Sequence, residues 1–209
     1  MTTESIDGNA PAARSAYVSA ASAPPPPMRP TAALVTGAPV ATTARRGVRS
    51  AFALLALLSI AALVAAFGSM FSSAAIDGWY AAAAKPMWNP PNSVFGPVWT
   101  VLYTAMSVAA WLVWRRPDSE ARSRALRIYI TQLAINAVWT PAFFGLGAAL
   151  GAPGLWVALV IIVILDFVIL ATIIRFGDVS RTAAALLVPY WFWALFATTL
   201  NAAIAVLAR

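Results

Sequence analysis

Five apolar runs of membrane length constrain this chain more than any other feature. They cover residues 50–71, 94–114, 125–146, 155–174 and 182–207. Each is close to the ~20 residues a helix needs to cross ~30 Å of hydrocarbon. Backbone amides and carbonyls cannot go unpaired in lipid, so each run must close its own hydrogen bonds as a helix. Composition agrees: 61% of residues are hydrophobic and 10% charged, with mean hydropathy +0.79, against about 25% charged in a soluble domain. The expected fold is all-α, an integral membrane five-helix domain over residues 50–209. Residues 1–49 are rich in Ala, Ser, Thr and Pro, include a run of four prolines at 24–27, and show no apolar period. They read as a disordered N-terminal extension with local polyproline II character.

Arginine placement gives an orientation. The chain carries a net charge of +7, and Lys85 is its only lysine. Ten arginines between Arg45 and Arg181 flank the spans on one side, against Lys85 and Arg209 on the other. Positive charge marks the cytoplasmic side, which predicts N-terminus in and C-terminus out. The membrane expected is a bacterial cell membrane; an organelle membrane follows instead if residues 1–49 are a cleaved transit peptide. Because the arginines sit beside apolar runs, their partner is the lipid bilayer and not nucleic acid. There is no cysteine and no histidine, so disulfides, thiolate chemistry and imidazole ligation of a metal are excluded, and no metal site is expected.

Candidate functional residues fall into stripes. Residues 79–103 form the connector between the first two spans and the start of the second. They read Trp-Tyr-x4-Lys-Pro-Met-Trp-Asn-Pro-Pro-x3-Phe-x3-Trp-Thr-x-Leu-Tyr. A connector needs only polarity and a turn; one this dense in rigid aromatics suits a lid over something flat and apolar. In the second span Trp99 and Tyr103 share a face, with Thr100 and Ser107 near it. In the third, Gln132, Asn136 and Thr140 form a polar ladder beside Trp139, followed by Pro141, Phe143 and Phe144. In the fifth, Tyr190, Trp193, Ala197 and Asn201 share a face. Amides facing lipid would be costly, so these stripes should turn inward onto a common cavity. Pro141 and Pro189 should bend or tighten their helices and free backbone carbonyls. Asp166 lies inside the fourth span, where an acid costs roughly 2.5–3.5 kcal/mol on insertion. With no base at matching depth, it is expected to be neutral and hydrogen-bonded to a neighbouring helix.

These blocks, in order and across five spans, resemble the TspO/MBR family of tryptophan-rich sensory proteins and translocator proteins. The resemblance rests on Trp79-Tyr80, Lys85-Pro86-x-Trp88-Asn89-Pro90-Pro91, Trp99-Thr100-x-Leu102-Tyr103, Asn136-x-x-Trp139-Thr140-Pro141 and Pro189-Tyr190-x-x-Trp193. It implies a five-helix bundle, often a homodimer, with a ligand pocket under the first long connector. It also implies binding of tetrapyrroles of the protoporphyrin IX type, as ligand rather than cofactor, and of other flat apolar molecules. Tyr80, Trp88, Trp99, Tyr103, Asn136, Trp139, Tyr190 and Trp193 match the family's ligand contacts. Lys85, Pro86, Asn89, Pro90 and Pro91 would shape the lid. Sensing or carriage of a tetrapyrrole is the first expectation. The second is light- and oxygen-dependent porphyrin degradation, in which Trp99 and Trp193 would be catalytic. Transport of tetrapyrroles or sterols is the third.

Overall fold

The computed structural model describes residues 39–208, and all secondary structure among them is helical. Five helical stretches are long and apolar enough to cross a membrane. The chain is an integral membrane protein. Of the expected extension, Met1–Ala38 lies outside the described residues. The first helix, α1 (Pro39–Ile76), begins ahead of the expected boundary at residue 50. Proline is favoured in a helix's first turn, and the residues after it include Ala41, Ala44, Arg45 and Arg46, all good helix formers. Helix propensity therefore carries the helix beyond the apolar run.

The remaining elements are α2 (Trp79–Ala82), α3 (Asn92–Trp114), α4 (Glu120–Pro141), a π-helical turn (Ala142–Leu146), α5 (Gly147–Leu150), α6 (Ala152–Gly177) and α7 (Arg181–Leu207). Side-chain caps begin two of them. Ser119 Oγ accepts from Arg122 N at 3.2 Å ahead of α4, and Ser180 Oγ accepts from Ala183 N at 3.4 Å ahead of α7. Between α5 and α6 the chain turns at Gly151, whose φ of 62° is one that side chains disfavour. Pro141 loosens its helix where the sequence suggested a bend or a tightening. Having no N–H, it cannot bond back to the preceding turn, and the next five residues widen into the π-helical turn. α7 continues through Pro189 as one helix.

The long helices pack as a closed ring in the order α1, α3, α7, α6, α4. Large apolar side chains such as Phe52, Leu63, Ile130, Phe167 and Phe192 stay exposed around it, as a lipid-facing surface requires. From Arg49 to Arg181 the arginines gather at one end. There Trp111 Nε1 donates to Ser50 O at 2.9 Å, the Arg49 guanidinium lies 5.8 Å from the Trp114 ring centre, and Arg122 pairs with Asp118 at 2.6 Å. α2 and the aromatic connector occupy the opposite end of α1 and α3.

Candidate functional site

Within the ring lies a cavity of about 780 Å³, walled by α1, α3, α4, α7 and the connector. Its aromatic wall comes from the predicted stripes. Trp99 and Tyr103 pack 5.4 Å apart on α3, and Trp139 stacks on Phe143 at 5.6 Å and 28°. Trp193 on α7 meets Phe95 edge-on at 5.9 Å. The π-helical turn matters here. By widening the helix it brings two consecutive residues, Phe143 and Phe144, onto the cavity, where they meet edge to face at 4.9 Å.

A layer of polar groups holds this wall in place. Asn136 Nδ2 donates to the Tyr103 hydroxyl at 3.3 Å, and Gln132 Nε2 donates to the Tyr190 hydroxyl at 2.8 Å. Trp139 Nε1 donates to Asn201 Oδ1 at 3.3 Å, while Asn201 Nδ2 donates to Leu155 O at 3.0 Å. Gln132, Asn136, Tyr190 and Asn201 are all fully buried. The amides therefore face inward, and each bond joins two helices. Asp166 also bonds to a neighbouring helix: Thr198 Oγ1 donates to its Oδ2 at 2.7 Å, and Trp191 Nε1 donates to its backbone carbonyl at 3.1 Å.

The connector is stitched down over one end. Trp79 Nε1 donates to Phe144 O at 3.0 Å. Tyr80 is buried edge-on against Phe143 and Phe144, and its hydroxyl donates to Asn89 Oδ1 at 3.0 Å. Burial pushes the Tyr80 phenol above its ordinary pKa, partly offset by the Asn89 bond, so it remains a donor at neutral pH. Lys85 Nζ donates to Ala81 O at 3.1 Å and Ala83 O at 3.2 Å, and sits 4.8 Å over the Tyr80 ring. Asn89 N closes a turn on Pro86 O at 3.0 Å, Asn89 Nδ2 reaches Pro90 O, and Pro91 caps α3.

Of the residues singled out in sequence, Tyr80, Trp99, Tyr103, Trp139 and Trp193 line the cavity. Asn136 and Tyr190 stand behind it, holding Tyr103 and flanking Trp99. Trp88 is 56% exposed and not among the residues lining the cavity, because the turn at Pro86–Asn89 leaves Met87 and Trp88 at the surface. The sequence reading missed the α1 wall. Ala61, Ala65, Gly68, Ser72 and Ile76 all line the cavity. Four of these five are small, and their helical spacing was the available signal.

The sequence pattern of the TspO/MBR family matches residues 55–207. The chain belongs to the TspO/MBR family. The match takes in α3, α4, α6 and α7, most of the membrane part of α1, and the connector. Among similar proteins, the tryptophan-rich protein TspO of Archaeoglobus fulgidus is 38% identical over 137 residues, which is 66% of this chain and 84% of that one. The translocator protein of Homo sapiens is 42% identical over 125 residues, 59% of this chain and 70% of that protein. The tryptophan-rich sensory protein of Cereibacter sphaeroides is 40% identical over 125 residues, 60% and 73% of the two chains. This TspO/MBR member thus has five membrane-spanning helices around an aromatic cavity, in a family whose members carry sensory and translocator names.

Proposed function

We propose that the protein is a membrane sensor or carrier that holds a tetrapyrrole of the protoporphyrin IX type between the indoles beneath the connector. The observation that carries this reading is the cavity's wall: Trp99, Tyr103, Trp139 and Trp193 from three helices around about 780 Å³. That volume falls within the roughly 300–1,000 Å³ of small-molecule sites. A planar π-system presents large apolar faces, which indole and phenol rings match by stacking or edge contact. Trp193 Nε1 is buried without a protein partner, which leaves a donor for a polar edge of the ligand. Titrating protoporphyrin IX against intrinsic tryptophan fluorescence tests the reading. Saturable quenching is expected, and it should fall sharply in the Trp99→Phe/Trp193→Phe variant. No quenching, or the same quenching in both proteins, sinks it.

A second reading has one specific support. Trp99 and Trp193 line the same cavity, so two oxidisable indoles would face one bound porphyrin. Loss of the porphyrin Soret band in light and air, abolished by either Trp→Phe substitution, would mark degradation. Retention of the band under those conditions leaves binding alone.

The orientation belongs to the same proposal. Arg49, Arg115, Arg116, Arg122, Arg124, Arg127, Arg175 and Arg181 lie toward one end and Lys85 toward the other. The positive-inside rule then puts the connector on the outer face of a bacterial cell membrane. The homodimer implied by the family resemblance would leave the cavity whole within each protomer.

A further inference from the structure

α1 leans on different neighbours along its length. Toward the arginine end it is tied to α3: Trp111 Nε1 bonds Ser50 O at 2.9 Å, and Ser107 Oγ lies 3.3 Å from Leu57 O. Toward the connector it leans on α4 and the π-helical turn. There a Cβ on Gly68 would stand 3.3 Å from the Thr140 side chain, and a Cβ on Gly145 would stand 3.6 Å from the Phe71 ring. α1 and α3 are thus joined at one end, while α1 turns to another partner at the other.

On that second half, the cavity reaches the surface between α1 and α3. Ser69 and Ser73 on α1, and Gly96, Thr100 and Thr104 on α3, line the cavity and are also exposed. They lie within the membrane-length helices Gly47–Ile76 and Asn92–Trp114. The surface they reach is therefore the bilayer.

The chemistry of these edges suits apolar traffic. Every hydroxyl is turned back onto its own helix: Ser69 Oγ to Ala65 O at 2.9 Å, Ser73 Oγ to Ser69 O at 2.7 Å, Thr100 Oγ1 to Gly96 O at 2.9 Å and Thr104 Oγ1 to Thr100 O at 2.8 Å. A hydrocarbon sliding past leaves no donor unpaired. A Cβ on Gly96 would meet nothing within 4 Å, so space remains at the α3 edge. Under the connector the cavity is walled by Tyr80, packed on Phe143 and Phe144 next to the Trp79–Phe144 bond.

We propose that the slot between α1 and α3 is a lateral portal, through which flat apolar ligands and phospholipid acyl chains pass between bilayer and cavity. The ligand part rests on the proposed function above; the acyl-chain part does not. The full chain is reconstituted in phosphatidylcholine vesicles whose acyl chains carry bromine, a contact quencher of indole fluorescence. The quenching component that disappears in Trp99→Phe reports chains reaching the cavity. It is expected in the otherwise unaltered protein and should be lost when Gly96→Phe fills the slot, with Thr100→Leu as a milder second variant. Absence of a Trp99 component, as would follow if a second copy covered the slot, overturns the portal. So does a component that both variants leave intact.

Stopped-flow mixing with protoporphyrin IX supplies the second arm. Gly96→Phe should slow association and dissociation together by about tenfold or more, as gating steps do. Val101→Phe, an enlargement at an exposed α3 position that does not line the cavity, should change neither. Rates unaffected by Gly96→Phe place entry elsewhere and overturn the portal. If protoporphyrin IX does not bind while the bromine signal persists and depends on Gly96, the portal stands and the tetrapyrrole reading falls.

Discussion

Asn201 ties three helices with one amide. It accepts from Trp139 Nε1 and donates to Leu155 O, so α4, α6 and α7 meet at a single side chain that is 1% exposed. Asn201→Leu would strand the Trp139 indole N–H, at about 1–3 kcal/mol, while the Leu155 carbonyl keeps the bond of its own helix. Unfolding in detergent should show a loss of that order and a changed Trp139 emission; an unchanged midpoint would mean that the amide is a bystander. Asp166 makes the opposite prediction. Its Oδ2 accepts from Thr198, and an amide oxygen can accept the same bond without the cost of an acid in the bilayer. Asp166→Asn should therefore match or exceed the parent in stability and retain protoporphyrin IX binding. Lost stability would show that the carboxyl has a role the Thr198 bond does not explain. That such an acid would find a partner on another helix could be read from the absence of a base at its depth. Thr198 itself could not, because the relative depth of α6 and α7 is set by packing.

At the scale of elements, the π-helical turn and the α5–α6 junction hold the connector. Gly154 lies so close to the Leu146 carbonyl that a Cβ there would collide with backbone. Gly154→Ala should cost about 1–3 kcal/mol, or more if the turn cannot shift, and would also disturb Phe144, which anchors Trp79 through its carbonyl. Equal thermal stability of parent and variant would contradict this close packing. On α1, Gly68 faces Thr140 across the cavity wall. Gly68→Leu should fill space and weaken protoporphyrin IX binding while leaving the lipid-facing surface untouched. Sequence showed the aromatic stripes of α3, α4 and α7 because indoles and amides are rare in a membrane span and their spacing repeats. It did not show the α1 wall as a wall. Alanine, glycine and serine are ordinary in such helices, and only the cavity beside them gives their spacing meaning. The placement of Trp88 was not legible either: its residue type suggested the site, while the turn at Pro86–Asn89 decides its exposure.

For the whole molecule, five spans and their order along the chain were legible, whereas the ring order α1, α3, α7, α6, α4 was not. Short connectors make sequential neighbours antiparallel, but they do not say which distant helices close the ring. Contacts such as Gly68 against Thr140, from α1 to α4, and Trp99 against Tyr190, from α3 to α7, fix that closure. Orientation is testable because the chain has no cysteine. In intact cells, a membrane-impermeant thiol reagent should label Met87→Cys, at a fully exposed connector position. It should not reach Pro117→Cys at the arginine end until the cells are opened. The reverse pattern would invert the topology.

The proposed function rests on aromatic groups from separate helices enclosing one ligand. Determining the structure of the protein with protoporphyrin IX tests this most directly. The account predicts the macrocycle inside the ring, in contact with Trp99, Trp139 and Trp193 beneath Tyr80. A macrocycle found on the lipid-facing surface, with the cavity left to water or acyl chain, would contradict it.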